Sequence, residues 1–317
     1  MPTCSRSEPS APAIADTGVR RACGAIARLG LALVLVSLGS GCVDGRVGQP
    51  VADADAAARV RTALVKSTGG AAETGAEASA TGTGWGTLKG RFVFAGAPAE
   101  AKALAVDKDT EVCTKNGVKL LDRSLLVDPS SKGLANVVLF VRKSSRVKDS
   151  TPPEKPVVFD QKQCEFITPV FAARVGQSID VHNSDPVGHN TNIAGTSFNQ
   201  LIPAGDGTLF KPEAETGMPT MVTCNIHPWM KAYVVFRKDG YVGVSAADGS
   251  FTIPDLPAGE TLEFQVWHER STGPNGALGL AKPELKWTPK GRFQVRIEAD
   301  EVTDIGTLDV PAAAIGG

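Results

Sequence analysis

The chain has 317 residues, and its 33 Lys and Arg side chains almost balance its 34 Asp and Glu side chains, for a formal net charge of −1. A near-neutral chain with no basic stripe is not expected to bind nucleic acid.

Residues 1–42 have the pattern of a signal peptide. A basic segment precedes an apolar run at residues 29–38, which is too short to span a bilayer. The run ends in Gly39-Ser40-Gly41-Cys42, which resembles the lipobox of bacterial lipoproteins, although Gly39 stands where that pattern prefers Leu. The resemblance implies lipidation of Cys42, export to the periplasm or cell surface, and contact with a membrane through the lipid anchor only. Ordinary secretion is the alternative.

Residues 43–84 differ in composition from the later part of the chain. They are rich in Ala, Gly, Thr, Glu and Asp and hold almost no large apolar side chains. Such a segment cannot bury enough surface to offset its ordering entropy, so we expect a flexible low-complexity linker. About 230 residues remain, enough for one large β domain or two small ones.

The remaining sequence predicts β-strands in succession. Residues 85–94 alternate apolar and polar side chains, and residues 134–142 form an apolar run typical of a strand buried on both faces. Further strands are predicted at residues 166–175, 177–183, 221–223 and 231–238. The strand at residues 177–183 leads into a polar loop, Asn183-Ser184-Asp185-Pro186, and His189 comes shortly after it.

One short stretch near the middle carries possible metal ligands. Cys224, His227 and Met230 have the spacing C-x-x-H-x-x-M, which lets one tight loop direct a thiolate, an imidazole and a thioether at one point. His189 supplies a second imidazole. Two imidazoles and a thiolate in a plane, with a weak axial thioether, are typical of blue-copper sites. Zinc is the rival ion, but a thioether suits it poorly. Taken singly, each side chain has an ordinary structural explanation.

The run CNIHPWM resembles the copper loop of amicyanin and its plastocyanin-like relatives, the cupredoxins. The resemblance extends over roughly residues 175–236 and implies a Greek-key β-sandwich with one type-1 copper ion. It implies His189, Cys224, His227 and Met230 as the ligands. In the family the second ligand histidine comes from an earlier loop and is followed by asparagine. Both His182 and His189 precede an asparagine, but His189 lies at the loop and His182 in the preceding strand, which favours His189. We expect the Asn190 side chain to hydrogen-bond the Cys224 loop, as groups around metal ligands do.

The other cysteines predict a disulfide. Cys4 and Cys23 belong to the signal segment, Cys42 to the anchor and Cys224 to the metal site. The even pair Cys113 and Cys164 remains, and disulfides persist in exported proteins. Two free thiols are the alternative.

The region after residue 240 resembles carboxypeptidase-regulatory-like (transthyretin-like) β-sandwich modules, through the runs DGSF and LPAG at residues 248–259. In those modules the pattern marks the fold, not peptidase activity, and the chain has no H-E-x-x-H motif. His268 and Glu269 are predicted on opposite faces of a strand and so do not form a metal pair.

The sequence therefore predicts an all-β protein: a cupredoxin domain at residues 85–240, followed by a small transthyretin-like β-sandwich at residues 241–311. No nucleophile elbow or phosphate-binding loop is present, and four histidines are too few for a multicopper oxidase, so no enzyme is expected. The predicted function is one-electron transfer through type-1 copper, with redox proteins docking near His227 and Trp229. We expect the ring edge of His227 to reach the surface there. The alternatives are a copper-binding or storage protein without redox turnover and an interaction module that holds no metal.

Overall fold

The computed structural model describes residues 82–316, all within one compact unit. The predictions of a signal peptide, of lipidation at Cys42 and of most of the linker fall outside these residues. Within residues 82–316, no helix combines the length and the apolar character needed to cross a membrane.

The prediction of an all-β protein is confirmed. One short α-helix, α1, covers Thr110–Cys113. The strands of the described region are β1 Trp85–Ala95, β2 Val138–Val141, β3 Val157–Lys162, β4 Glu165–Phe166, β5 Val170–Arg174, β6 Ile179–Asn183, β7 His189–Ile193, β8 Asn199–Ile202, β9 Gly207–Phe210, β10 Thr220–Thr223, β11 Lys231–Arg237, β12 Val242–Val244, β13 Ser250–Pro257, β14 Glu260–Trp267, β15 Arg292–Ile297 and β16 Val302–Pro311.

The strands form four sheets that pair into two sandwiches. Strands β3 to β11 make the ligand sandwich, from a five-stranded sheet of order β5-β11-β10-β7-β8 and a four-stranded sheet of order β4-β3-β6-β9. The other strands make the terminal sandwich, from a sheet of order β13-β1-β16 and a sheet of order β12-β2-β14-β15. Each sandwich encloses its own cluster of buried apolar side chains.

Strand pairing divides the chain differently from the predicted boundary at residue 240. Strand β1 pairs antiparallel with β13 and parallel with β16, and β2 pairs with β12 and β14. The ligand sandwich is therefore inserted between two early and five late strands of the terminal sandwich. The alternation in residues 85–94 identifies a strand with one buried face, but it does not specify the partner strand.

A third apolar cluster joins the two sandwiches. Val138 and Trp267 from the terminal sandwich pack with Val170 and Val235 from the ligand sandwich, and the Tyr233 ring packs against Trp267 at an angle of 56°, with ring centroids 4.8 Å apart. Strand β2 is buried along its whole length because it lies between the two cores, as the apolar run at residues 134–142 predicts. Through this cluster, the terminal sandwich packs against the sheet that contains β10 and β11.

Candidate metal centre

Cys224, His227 and Met230 lie in the turn between β10 and β11. The Cys224 N–H donates to the Met230 carbonyl at 3.3 Å, and the Met230 N–H donates to the His227 carbonyl at 2.9 Å. The His227 N–H also points at the Cys224 Sγ, 3.4 Å away. These bonds fold the turn around the sulfur. The turn is anchored at both ends by paired strands, which is the rigid support that a preorganised site requires.

His189 is the first residue of β7, the strand next to β10 in the same sheet. The next residue, Asn190, fastens the two strands together at the site. Its backbone N–H donates to the Cys224 Sγ at 3.3 Å, and its side-chain Oδ1 accepts the N–H of Asn225 at 3.2 Å. The Asn190 side chain therefore hydrogen-bonds the Cys224 loop, as we expect from the sequence.

Three ligand atoms converge in a closed space. His189 Nδ1 is 2.9 Å from His227 Nδ1, and the Cys224 Sγ is 3.8 Å from the same His227 atom. All three atoms lie within 4.8 Å of one another. Both histidines are fully buried, and Cys224 and Met230 are each 2% exposed. Among the described residues, His182 does not belong to this cluster; it lies half-buried in β6.

Each imidazole is held from its far side by a carboxylate. Asp185 Oδ2 is 2.7 Å from His189 Nε2, and Asp109 Oδ2 is 2.8 Å from His227 Nε2. An ionised carboxylate only accepts hydrogen bonds, so each Nε2 carries a hydrogen and each Nδ1 faces the shared space. Two lone pairs 2.9 Å apart repel unless a proton or a cation lies near them. The donor set therefore fits a metal ion.

The electrostatics of the cluster keep its sulfur ionised. Burial raises the pKa of the Cys224 thiol, but hydrogen bonds from His189 and from the N–H groups of Asn190 and His227 outweigh burial and lower that pKa to about 6. Burial likewise lowers the pKa of His189, but Asp185 and Cys224 outweigh it and raise the pKa to about 9. A proton on His189 thus neutralises the thiolate, and a bound metal would displace that proton.

A disulfide between Cys113 and Cys164 lies beside the cluster. Its sulfurs are within 4.8 Å of a ring nitrogen of His227. Because these sulfurs are bonded to each other, they do not offer thiolates to a metal. Within residues 82–316, Cys224 is the free cysteine.

The exposure of His227 differs from the sequence-based expectation. Docking near His227 would require its ring to reach the surface, yet the ring is fully buried under Asp109. Trp229 is partly exposed; its ring lies 5.1 Å from that of His227, and its indole N–H donates to the Cys164 carbonyl at 3.0 Å. The expectation that the His227 ring reaches the surface was wrong because Asp109, which covers the ring, lies 118 residues earlier in the chain.

Neither carboxylate is predicted from the sequence. Asp185 has a local signal in the sequence, since it lies four residues before His189, in the loop between β6 and β7. Asp109 has none, because it is 118 residues away from His227. Among the sequence-based predictions, only that of the Cys113–Cys164 disulfide relates the segment of Asp109 to a later part of the chain.

Replacing Met230 by Leu tests the prediction that its thioether is a weak ligand. Leu is close to Met in volume and apolar, so the buried site should stay packed. We expect a copper-loaded Met230→Leu protein to keep its metal and colour and to show a higher reduction potential, because a weak donor to the oxidised ion is lost. Voltammetry of both proteins measures the shift. Complete loss of copper would assign Met230 another role.

Comparisons with known proteins give partial structural similarity only. No protein-family model matches the chain. No curated protein matches it either. Among solved structures, the Cu-containing nitrite reductase (NirK) from Thermus scotoductus SA-01 is 17% identical, with a TM-score of 0.24, and the match covers 30% of this chain. The chain spans only 25% of that reductase's length.

Two structures of amicyanin variants are also similar. A reduced Cu(I) form at pH 4 is 21% identical with a TM-score of 0.23, and an oxidised form is 16% identical with a TM-score of 0.24. Each match covers 29% of this chain and 97% of the amicyanin chain.

The fold and the site thus define the class: an all-β protein with a buried cluster of two histidines and one cysteine. The His and Cys side chains of this cluster are possible ligands of a metal ion.

Proposed function

We propose that the protein binds one type-1 copper ion and carries single electrons between redox proteins of the periplasm or cell surface. His189, Cys224 and His227 would hold the ion, with Met230 as a fourth, weaker ligand. The observation that supports this is the convergence of two imidazole nitrogens and one ionised sulfur in a closed, buried space. Such a donor set, with Met230 buried in the same turn, suits copper better than zinc.

The chain's own residues would do three things for a bound ion. Copper supplies reversible one-electron chemistry. Asp109 and Asp185 fix the orientation of the rings, and the N–H groups of Asn190 and His227 stabilise the negative sulfur. Burial excludes water, so the ligand geometry should change little when the charge at the site changes. A rigid site of this kind favours rapid electron exchange.

Copper storage or delivery without redox turnover is the competing function. A delivery protein must release its metal to a partner, and release is easiest from exposed ligands. The four proposed ligands are at most 2% exposed. This closure favours a carrier that keeps its copper.

Repeated redox cycling separates the two functions. The copper-loaded protein would be reduced with ascorbate and reoxidised with ferricyanide several times in the presence of a Cu(I) chelator. A carrier should return to its starting spectrum after every cycle with one copper per chain. Progressive transfer of copper to the chelator would contradict electron transfer and favour delivery.

Partner docking is proposed on the Trp229 side of the site, because His227 is covered. A surface cavity of about 90 Å³ is lined by Trp229 and Met230, together with Leu121, whose side chain is 44% exposed. Pro228 is exposed at the tip of the same turn. Weak electron-transfer complexes use small interfaces, so a single charge placed here should have a large effect.

We expect Pro228→Lys to slow electron self-exchange more than it alters the spectrum. The added charge requires desolvation on docking and leaves the ligands in place. Leu209→Lys is the matched control, because Leu209 is 63% exposed on β9, outside the turn. Equal rates for the two variants would show that electrons enter elsewhere.

From the sequence, we also propose that the protein is exported, that it is anchored through Cys42 and that it has no catalytic activity. The terminal sandwich, with its carboxypeptidase-regulatory-like runs, is proposed as a structural support for the sheet that carries β10 and β11.

A further inference from the structure

A short segment covers the outer face of His227. This cap segment, residues 104–120, is closed by a hydrogen bond from the Leu104 N–H to the Leu120 carbonyl at 2.8 Å. Its apolar side chains Leu104, Val106, Val112 and Leu120 pack against the core of the ligand sandwich. The Cys113–Cys164 disulfide fastens its middle beside His227. The cap segment is therefore held by both packing and a covalent bond.

Asp109 in the cap segment has an unusual arrangement. Its carbonyl accepts the N–H groups of Val112 and Cys113, so it stands at the N-cap of α1. An Asp at this position normally accepts a helix N–H with its side chain. Here the side chain makes no such bond, the backbone is left-handed at φ 46°, and the carboxylate turns to His227 Nε2 instead.

The fully buried ring of His227 needs this partner. A buried N–H without an acceptor is strongly unfavourable. Without Asp109, the ring would gain by moving its hydrogen to Nδ1, which faces His189 Nδ1 and the Cys224 sulfur. A hydrogen on Nδ1 would remove the lone pair that the metal needs.

We propose that Asp109 is a positioning residue that keeps the hydrogen of His227 on Nε2 and closes the site, so that copper is retained through redox turnover. The inference rests on the proposed copper site, and it adds a residue from outside the ligand sheet that controls one ligand. The carboxylate acts through His227 and does not touch the metal position.

Three variants isolate the hydrogen bond. Asp109→Asn keeps an acceptor oxygen and tolerates the left-handed backbone, whereas Asp109→Gly removes the acceptor without backbone strain. Asp107→Gly is the control, because Asp107 is an exposed acidic residue of the same segment. It introduces similar chain flexibility without touching His227.

The first readout needs no metal. Nitrogen-15 NMR of the ring nitrogens should show hydrogen on Nε2 of His227 in the wild type, in Asp109→Asn and in Asp107→Gly. In Asp109→Gly, hydrogen should appear on Nδ1. The second readout is copper affinity against a competing chelator, for which we expect a loss of about 10- to 100-fold in Asp109→Gly only.

Two results would overturn the inference: an unchanged tautomer and affinity in Asp109→Gly, or equal losses in Asp109→Gly and Asp107→Gly. The second result would mean that the cap segment matters only as a cover. Failure of the wild type to bind copper would instead contradict the proposed function, and the tautomer comparison would still decide the role of Asp109.

Discussion

Replacing Cys224 by Ser is expected to abolish the intense visible absorption of the copper-loaded protein. The hydrogen bonds that lower the pKa of the Cys224 thiol to about 6 keep a thiolate in the site at neutral pH. A serine hydroxyl stays protonated there, so the copper–thiolate bond that gives the colour cannot form. Copper binding should weaken strongly as well, because the remaining neutral donors do not compensate the charge of the ion.

The fold should survive this substitution. Ser is nearly isosteric with Cys, and many other apolar side chains share the core cluster to which Cys224 belongs. Asn225→Ser is the matched control, since it changes the exposed neighbour in the same turn and should leave the colour unchanged. Circular dichroism of the two variants should agree. A strongly coloured Cys224→Ser protein would remove Cys224 from the site.

Removing the Cys113–Cys164 disulfide should give the largest loss of stability. The bond joins residues 51 positions apart, and a cross-link of this span restricts the unfolded chain strongly. We expect Cys113→Ala/Cys164→Ala to lower the free energy of unfolding of the metal-free protein by about 2–5 kcal/mol, measured by urea denaturation.

The reduced wild type separates cross-linking from packing. It loses the bond but keeps both sulfur atoms, which are almost fully buried. Most of the stability loss should therefore appear on reduction alone. An unfolding midpoint that is the same with and without reductant would show that the cross-link contributes nothing to stability.

The parts of the site that sequence could predict are those defined by short-range pattern. The spacing of Cys224, His227 and Met230 determines a turn between two strands, and local hydrogen bonds close it. Strand positions are predictable from alternation for the same reason. His189 required the cupredoxin resemblance as well, because His182 lies on the preceding strand and local pattern alone does not choose between them.

The parts that sequence could not predict depend on long-range pairing. Strand β1 pairs with β13 and β16, more than 150 residues later, and its alternation would suit any half-buried position in a sheet. The cap segment is polar and irregular in sequence, with no signal that it contacts His227. Its position is determined by the disulfide and by scattered apolar contacts, which become visible only in three dimensions.

The most direct test of the central claim is the visible absorption spectrum of the wild-type protein during titration with Cu²⁺. The proposed site predicts an intense blue or green band that grows to one copper per chain, disappears on reduction and returns on oxidation. A protein that stays colourless or only pale at one copper per chain would show that Cys224 does not bind the ion, and it would contradict the type-1 copper assignment.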